Sequence, residues 1–369
     1  MSILFYFCFI GKNRIQGFLR VSTVKCISFN WGIHYNKVKF LTMRIPMNRY
    51  LLAALLSAFV FVSCNNTLYP VSENEKVGYI DHKGIMIIEP VFDKGDDFSE
   101  GWALVSEGET LRYINDKGEF INSESYEMAA PFQDGMALVV RDGLVGYINR
   151  KGEEVIPPSY LRGGNFSNGV SSVFSQEEKT YLINKKGERL KELPYEYMGD
   201  FQEGLALVIE DGLCGFINTK GALVIPTVYE FADNFSEGLA LVVSESLGGY
   251  INTKGKLVIP HQYVYSSKFS DGLALFAEDG KAGFIDKKGN TIIPPNYVFA
   301  GDFNYGLARV QIDEKMGFIN KEGELVIDPV YDYGENFKED LALMVQDNTL
   351  SYINRKGTVV WTDRPGKEE

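Results

Sequence analysis

A segment that returns every 34 residues limits what this chain can fold into more than any other feature. Nine short stretches share one form, from YIDHKG ending at Gly84 to YINRKG ending at Gly357, and successive glycines lie 34 residues apart, once 35. An Asn or Asp stands three residues before each of them. The pairs are Asp81 and Gly84, Asn115 and Gly118, Asn149 and Gly152, Asn184 and Gly187, Asn218 and Gly221, Asn252 and Gly255, Asp286 and Gly289, Asn320 and Gly323, and Asn354 and Gly357. Asn-x-x-Gly suits a tight turn between strands: the first side chain bonds backbone two residues on, and the glycine tolerates the left-handed conformation that leads into the next strand. These eighteen positions are therefore turn formers, not metal ligands or catalytic groups.

A second landmark follows 17 residues after each glycine, as in FSEGLALV around Gly238, and an aromatic residue falls eight past the first glycine in every full copy, for example Tyr229 and Tyr263. Apolar runs flank both turns: Gly215-Phe216-Ile217 before Asn218, Leu223-Val224-Ile225 after Gly221, and Leu239 to Val243. The spacing predicts an antiparallel meander of three strands per repeat with a short fourth near the aromatic, and Pro226 is expected to end its strand, having no N–H for a ladder. Leu239 and Leu241 point to one face, Ala240 and Val242 to the other, and Leu257 and Ile259 oppose Val258. Both faces being apolar, the sheets should be covered on both sides. The expected fold is all-β: stacked meanders, propeller-like, either a closed ring or an open superhelical array.

The repeat pattern GYIN-x-KG-x-x-VIP, followed by the aromatic and F-x-EG-LALV, resembles the WG repeat family over residues 77–362. The family's Trp is replaced here: Val77, Val145, Cys214, Gly248, Ala282 and Met316 precede the glycine. The resemblance implies a β-repeat array with a binding or scaffold role and brings no catalytic residues.

The amino end reads as an address. Residues Met47 to Cys64, MNRYLLAALLSAFVFVSC, hold one basic residue and then an apolar stretch of twelve, Leu51 to Val62. This is shorter than the roughly 20 residues a spanning helix needs and suits a signal peptide. The ending Phe61-Val62-Ser63-Cys64 resembles a bacterial lipobox, which implies cleavage before Cys64 and lipid on its thiol. Residues 1–46 are then expected to be an over-extended, unstructured start, 47–63 the signal peptide, 64–76 a tether, 77–362 the array and 363–369 a tail.

Eight of the 37 basic residues and none of the 49 acidic ones precede Cys64, so the chain from Cys64 onward carries 29 against 49, a formal charge of −20. Such a body repels nucleic acid. Beyond Cys64 the catalytically versatile side chains are His82, His261 and Cys214, with no nucleophile or zinc spacing around them. The carboxylates Glu100, Asp134, Glu203, Glu237 and Asp271 recur in the second turn and read as turn features. Departures from the repeat are better site candidates: Trp102, Tyr305 and Arg309 as ligand-binding residues, with Asp340 and Trp361 also out of pattern. The expectation is a non-enzymatic lipoprotein of the cell envelope, held to a membrane (the outer one favoured) through lipid on Cys64. It would bind a protein or glycan partner, without cofactor or metal. An envelope polysaccharide-acting enzyme and a passive surface protein are the alternatives.

Overall fold

The computed structural model describes residues 67–195 and 197–364, together with one pair of two-residue strands, Tyr6–Phe7 with Gly17–Phe18. That pair lies in the stretch expected to be unstructured; its aromatic residues favour extended backbone. The rest of residues 1–46, the signal peptide and Cys64 lie outside the described residues. The amino-terminal stretch, residues 1–63, separates from the remainder as its own unit.

From Tyr69 onward the chain builds nine antiparallel sheets arranged as the blades of a propeller. Blade 5 shows the plan: a first strand Tyr197–Met198, a second Leu205–Glu210, a third Leu213–Asn218 and a fourth Leu223–Tyr229, each paired with the next. In order, the blades span 69–92, 94–126, 128–160, 162–193, 197–229, 231–263, 265–297, 299–331 and 333–362. The Asn-x-x-Gly turn joins third to fourth strand. At Asn218 the side-chain Oδ1 accepts from the backbone N–H of Lys220 (3.0 Å) and of Ala222 (3.1 Å), while Gly221 adopts φ +69°.

Two expectations about the fourth strand are corrected. Pro226 does not end it: the strand runs on to Tyr229. It does so through a bulge, because the pairing steps from Phe216 with Ile225 to Cys214 with Tyr229, two residues against four. The proline sits in that bulge on an edge strand, where no ladder N–H is required. Nor is this strand covered on both sides. The second and third strands bury both faces, but Leu257 and Val258 remain 41% and 39% exposed while Ile259 is fully buried. Along Leu257–Tyr263 only Ile259 is buried, so the fourth strand is largely open on both faces.

The bulge explains the glycine that precedes the third-strand aromatic in six of the blades. A Cβ on Gly283 would lie 2.6 Å from the carbonyl oxygen of Ile293 and 2.7 Å from the nitrogen of Pro295, and Gly146, Gly215 and Gly317 face the same clash. Glycine and bulge go together. Where the repeat has Tyr181 or Ser351 instead, the facing strand lacks the proline and pairs residue for residue, Tyr181 with Glu192 and Ser351 with Thr362.

Nine apolar clusters hold the blades, one at each junction. A recurring edge-on ring pair marks them, such as Phe216 with Phe235 at 4.8 Å and Tyr250 with Phe269 at 4.9 Å. An open array of nine blades would have eight junctions. The ninth joins Tyr69, Val71 and Ile80 to Leu341 and Tyr352, so the ring is closed.

Closure also moves the start of the array. The first blade begins at Tyr69, not at residue 77, because Tyr69–Glu73 pairs with Lys76–Ile80 and Leu68 is already buried. The stretch expected to be a tether therefore contains a strand. At the other end, Asp363 exchanges hydrogen bonds with Leu350, one residue past the expected limit. Blade 1 is a three-stranded sheet whose edge is Tyr69–Glu73, with no first strand among the described residues. In the other blades the backbone N–H just after the first strand bonds a second-strand carbonyl, as Asp96 does with Leu104 at 2.8 Å. The equivalent carbonyl in blade 1, on Pro70, instead accepts from the Tyr352 hydroxyl of blade 9 at 2.9 Å.

Candidate binding surface

The turn between first and second strands is a two-residue hairpin loop in which both residues have positive φ, Glu237 at +54° and Gly238 at +86° for example. Its acidic side chain reaches across to the next blade. Glu100 accepts from the N–H of Gly135 (2.8 Å), Asp134 from Gly169 (2.6 Å), Glu203 from Gly238 (2.9 Å) and Glu237 from Gly272 (2.9 Å). Cations of the Asn-x-x-Gly turns add to this, Lys185 to Asp134 at 2.6 Å and Lys287 to Glu237 at 3.0 Å. Burial alone would raise the Asp134 carboxyl, but the hydrogen bonds from Lys185 and Gly169 outweigh it and hold the group below the usual carboxylate range. The recurring acids sit in the turns, as expected, and also fasten each blade to the next.

The candidates picked as departures from the repeat fall in different places. Trp102 is partly buried and leans on Phe132, 6.4 Å between ring centroids, within the cluster of the second and third blades. Trp361 is likewise partly buried, packed against the junction of first and last blades. Tyr305, 49% exposed, occupies the turn position where other blades carry an acid, and the Arg355 guanidinium of blade 9 stands 5.5 Å from its ring centre. Arg355 also approaches Asp340, at 3.5 Å. Arg309 rises from the second strand of blade 8 and stands 5.1 Å from the ring of Phe299 and 5.6 Å from that of Tyr333. Tyr305 and Arg309 thus meet at one junction, between blades 8 and 9; Trp102 lies elsewhere. Cys214 is buried in an apolar cluster, and the His261 ring lies against the Leu247 carbonyl at 3.1 Å. No group of three or more potential metal ligands occurs among the described residues.

A set of exposed aromatic residues was not singled out by the repeat. They open the first strands of five successive blades: Tyr197 (54% exposed), Phe231 (52%), Tyr265 (60%), Phe299 (38%) and Tyr333 (58%). The same position holds Lys94, Met128 and Arg162 in blades 2 to 4. Alternation along the first strand fixes their direction. Ala232, Ser266 and Gly334, the next residues, are buried, so the preceding side chains must face out. Val264 and Val298 between them are 85% and 76% exposed. Grooves open beside these rings. One of 1010 Å³ between blades 4 and 5 is lined by Tyr195, Tyr197, Arg162 and Asp200, and one of 410 Å³ between blades 6 and 7 by Phe231, Tyr265, Leu241 and Val264. The signal was present in the sequence as an aromatic ten residues after five successive Asn-x-x-Gly glycines, Gly187 to Gly323. It was hidden because the partly buried aromatic two residues earlier, Tyr229 for instance, accounts for the same segment.

Comparison with known proteins agrees with this geometry. A family model described as WG containing repeat matches residues 78–110, 112–144, 146–178, 182–214, 215–246, 249–281, 283–315 and 316–349. No curated protein matches the chain. Among solved structures, a crystal structure titled as the eukaryotic initiation factor is similar with a TM-score of 0.56 at 9% identity, covering 80% of this chain and 95% of that one. BamB from Moraxella catarrhalis gives a TM-score of 0.42 at 13% identity, covering 80% and 98%. The computationally designed Ika8 protein gives 0.43 at 13%, covering 71% and 93%. At such identities the likeness of the first is one of fold. Eight tandem matches, each repeat contributing one turn of the same ring, show that the chain belongs to the WG repeat family.

Proposed function

We propose that this propeller is a non-enzymatic binding and scaffold module of the cell envelope that takes an extended protein segment along the aromatic arc of blades 5 to 9. The arc carries the reading. Five rings exposed on successive blades, with Val264 and Val298 exposed between them, put a run of apolar groups on the surface, and such groups on otherwise polar proteins mark interaction sites. Aromatic anchors supply contact area at low entropic cost, and the grooves beside them admit the side chains of a bound segment. The anchoring half of the proposal rests on Met47 to Cys64: lipid on Cys64 would hold the ring at a membrane, the outer one favoured.

Phe231→Ala combined with Tyr265→Ala tests the first half. Both side chains are exposed, so stability should change by no more than ~0.5 kcal/mol. Binding to an array of apolar peptides should fall at least tenfold. A protein that binds a glycan array instead, with peptides ignored, overturns the protein-segment reading. For the anchor, Cys64→Ala should abolish incorporation of radiolabelled palmitate and release the chain from the membrane fraction. Unchanged labelling would refute it.

A further inference from the structure

At one second-strand position six of the nine blades carry leucine, as at Leu207, Leu241 and Leu275, whereas blade 8 carries Arg309. The backbone there is ordinary: Arg309 pairs with Phe318 as Leu241 pairs with Tyr250. What changes is the groove. Leu207 and Leu241 help line the floors beside Tyr197 and Phe231, so Arg309 puts a fixed positive charge where those sister positions carry an aliphatic side chain. Its guanidinium stands between Phe299 and Tyr333, one ring from each side of the junction, at 5.1 and 5.6 Å. Aromatic faces attract the cation but accept none of its in-plane hydrogens well. Nε and Nη1 are enclosed and have no hydrogen-bond acceptor among the described residues. The side chain as a whole is still partly exposed.

Desolvated donors without an acceptor are unfavourable, and more so on a charged group. The missing component is planar, anionic and small enough to enter between two rings. We infer that Arg309 is a specificity residue of the arc, which reads a carboxylate on the bound segment. The partner is accordingly an extended peptide with an Asp or Glu flanked by apolar residues that meet Phe299 and Tyr333. Nε and Nη1 lie on different edges of the guanidinium, so a carboxylate meets either of them together with Nη2 in two parallel hydrogen bonds, a geometry that lysine and a neutral amide do not reproduce. This rests on the reading of the arc as a peptide track.

Arg309→Leu is the natural test, because leucine fills this position in six sister blades and the variant should fold. The full chain in detergent would be offered apolar peptides that differ at one central residue: Asp, Asn or Leu. Wild type should prefer the Asp peptide to the Asn peptide at least tenfold. R309L should lose that preference while binding the Leu peptide at least as well, and R309K should recover part of it. Equal binding of Asp and Asn peptides by wild type, or a preference that survives in R309L, overturns the inference and leaves the arc intact. Should no peptide bind at all, the arc reading fails separately. Arg309 would then be judged by its Nε–H resonance during titration with N-acetyl-aspartate amide, where an unmoved signal refutes carboxylate recognition.

Discussion

Gly283 stands where a strand of its own blade bulges across it. Its substitution by alanine would drive a methyl group into the Ile293 carbonyl and the Pro295 nitrogen, both backbone atoms that cannot swing aside. A loss of ~1–3 kcal/mol is expected from overpacking, read as a lowered urea midpoint with an unchanged slope. The Asn-x-x-Gly residues were legible from spacing alone because one geometry answers to one short pattern. The bulge was not. Its cause lies in the encounter of Gly215 with Pro226, eleven positions apart, and a proline read on its own indicates only that a ladder bond is missing. Arg309 was legible as an anomaly and no further, since its two ring partners belong to different repeats.

The blade is where local patterns become directional. Period-two alternation correctly placed both faces of the second and third strands in apolar surroundings, and it misled for the fourth, since alternation does not report which strand lies at an edge. The aromatic arc went unread for a related reason. Tyr229 and Phe231 are two residues apart and would share a face in one strand, yet the chain passes from blade 5 to blade 6 between them, so one packs partly buried against the core and the other is exposed. Connections between blades can be tested through the turn acids. Glu237→Ala would leave the Gly272 N–H without its acceptor and Lys287 without its pair. The expected loss is ~1 kcal/mol, with amide exchange at Gly272 accelerated and that at distant Gly135 unchanged.

Across the whole molecule the junctions are alike in kind but not in wiring. Eight of them join blades that follow one another along the chain; the ninth joins ends that do not, through Tyr69, Tyr352 and the Thr67 hydroxyl on Glu339, while Lys338 reaches on to Asp97 of blade 2 at 2.6 Å. Its tyrosines make it sensitive to alkali. Burial, with Asp340 and Glu339 nearby, pushes the Tyr69 phenol up to about 12, and desolvation raises Tyr352 as well. A phenol whose folded value exceeds its unfolded value of about 10 stabilises the native state fully below pH 10. That contribution fades as the pH climbs toward 12. Tyrosinate absorbance should therefore rise together with loss of closure between those limits, tracked by fluorescence transfer between labels on blades 1 and 9. Tyr69→Phe should flatten the part of the pH dependence due to this phenol. Ionisation of Tyr69 near pH 10 without separation of the blades would refute the assignment.

A circle fastened by side chains alone behaves differently from one in which the two ends share a sheet. Blades adjacent along the chain are held by connectors of a few residues, which keep each neighbour at high effective concentration even while a contact is broken. The first and last blades are linked only through the whole circumference. When their contact lapses the remaining eight persist, and the molecule becomes an arc with two apolar faces laid open at its tips. Tyr333 belongs to the blade at one of those tips, so the same event that parts the seam loosens the end of the track that Phe299 and Arg309 share with it. Were a segment bound across blades 8 and 9 as proposed, its occupancy and the integrity of the circle would be coupled, a steadier clasp holding the segment longer.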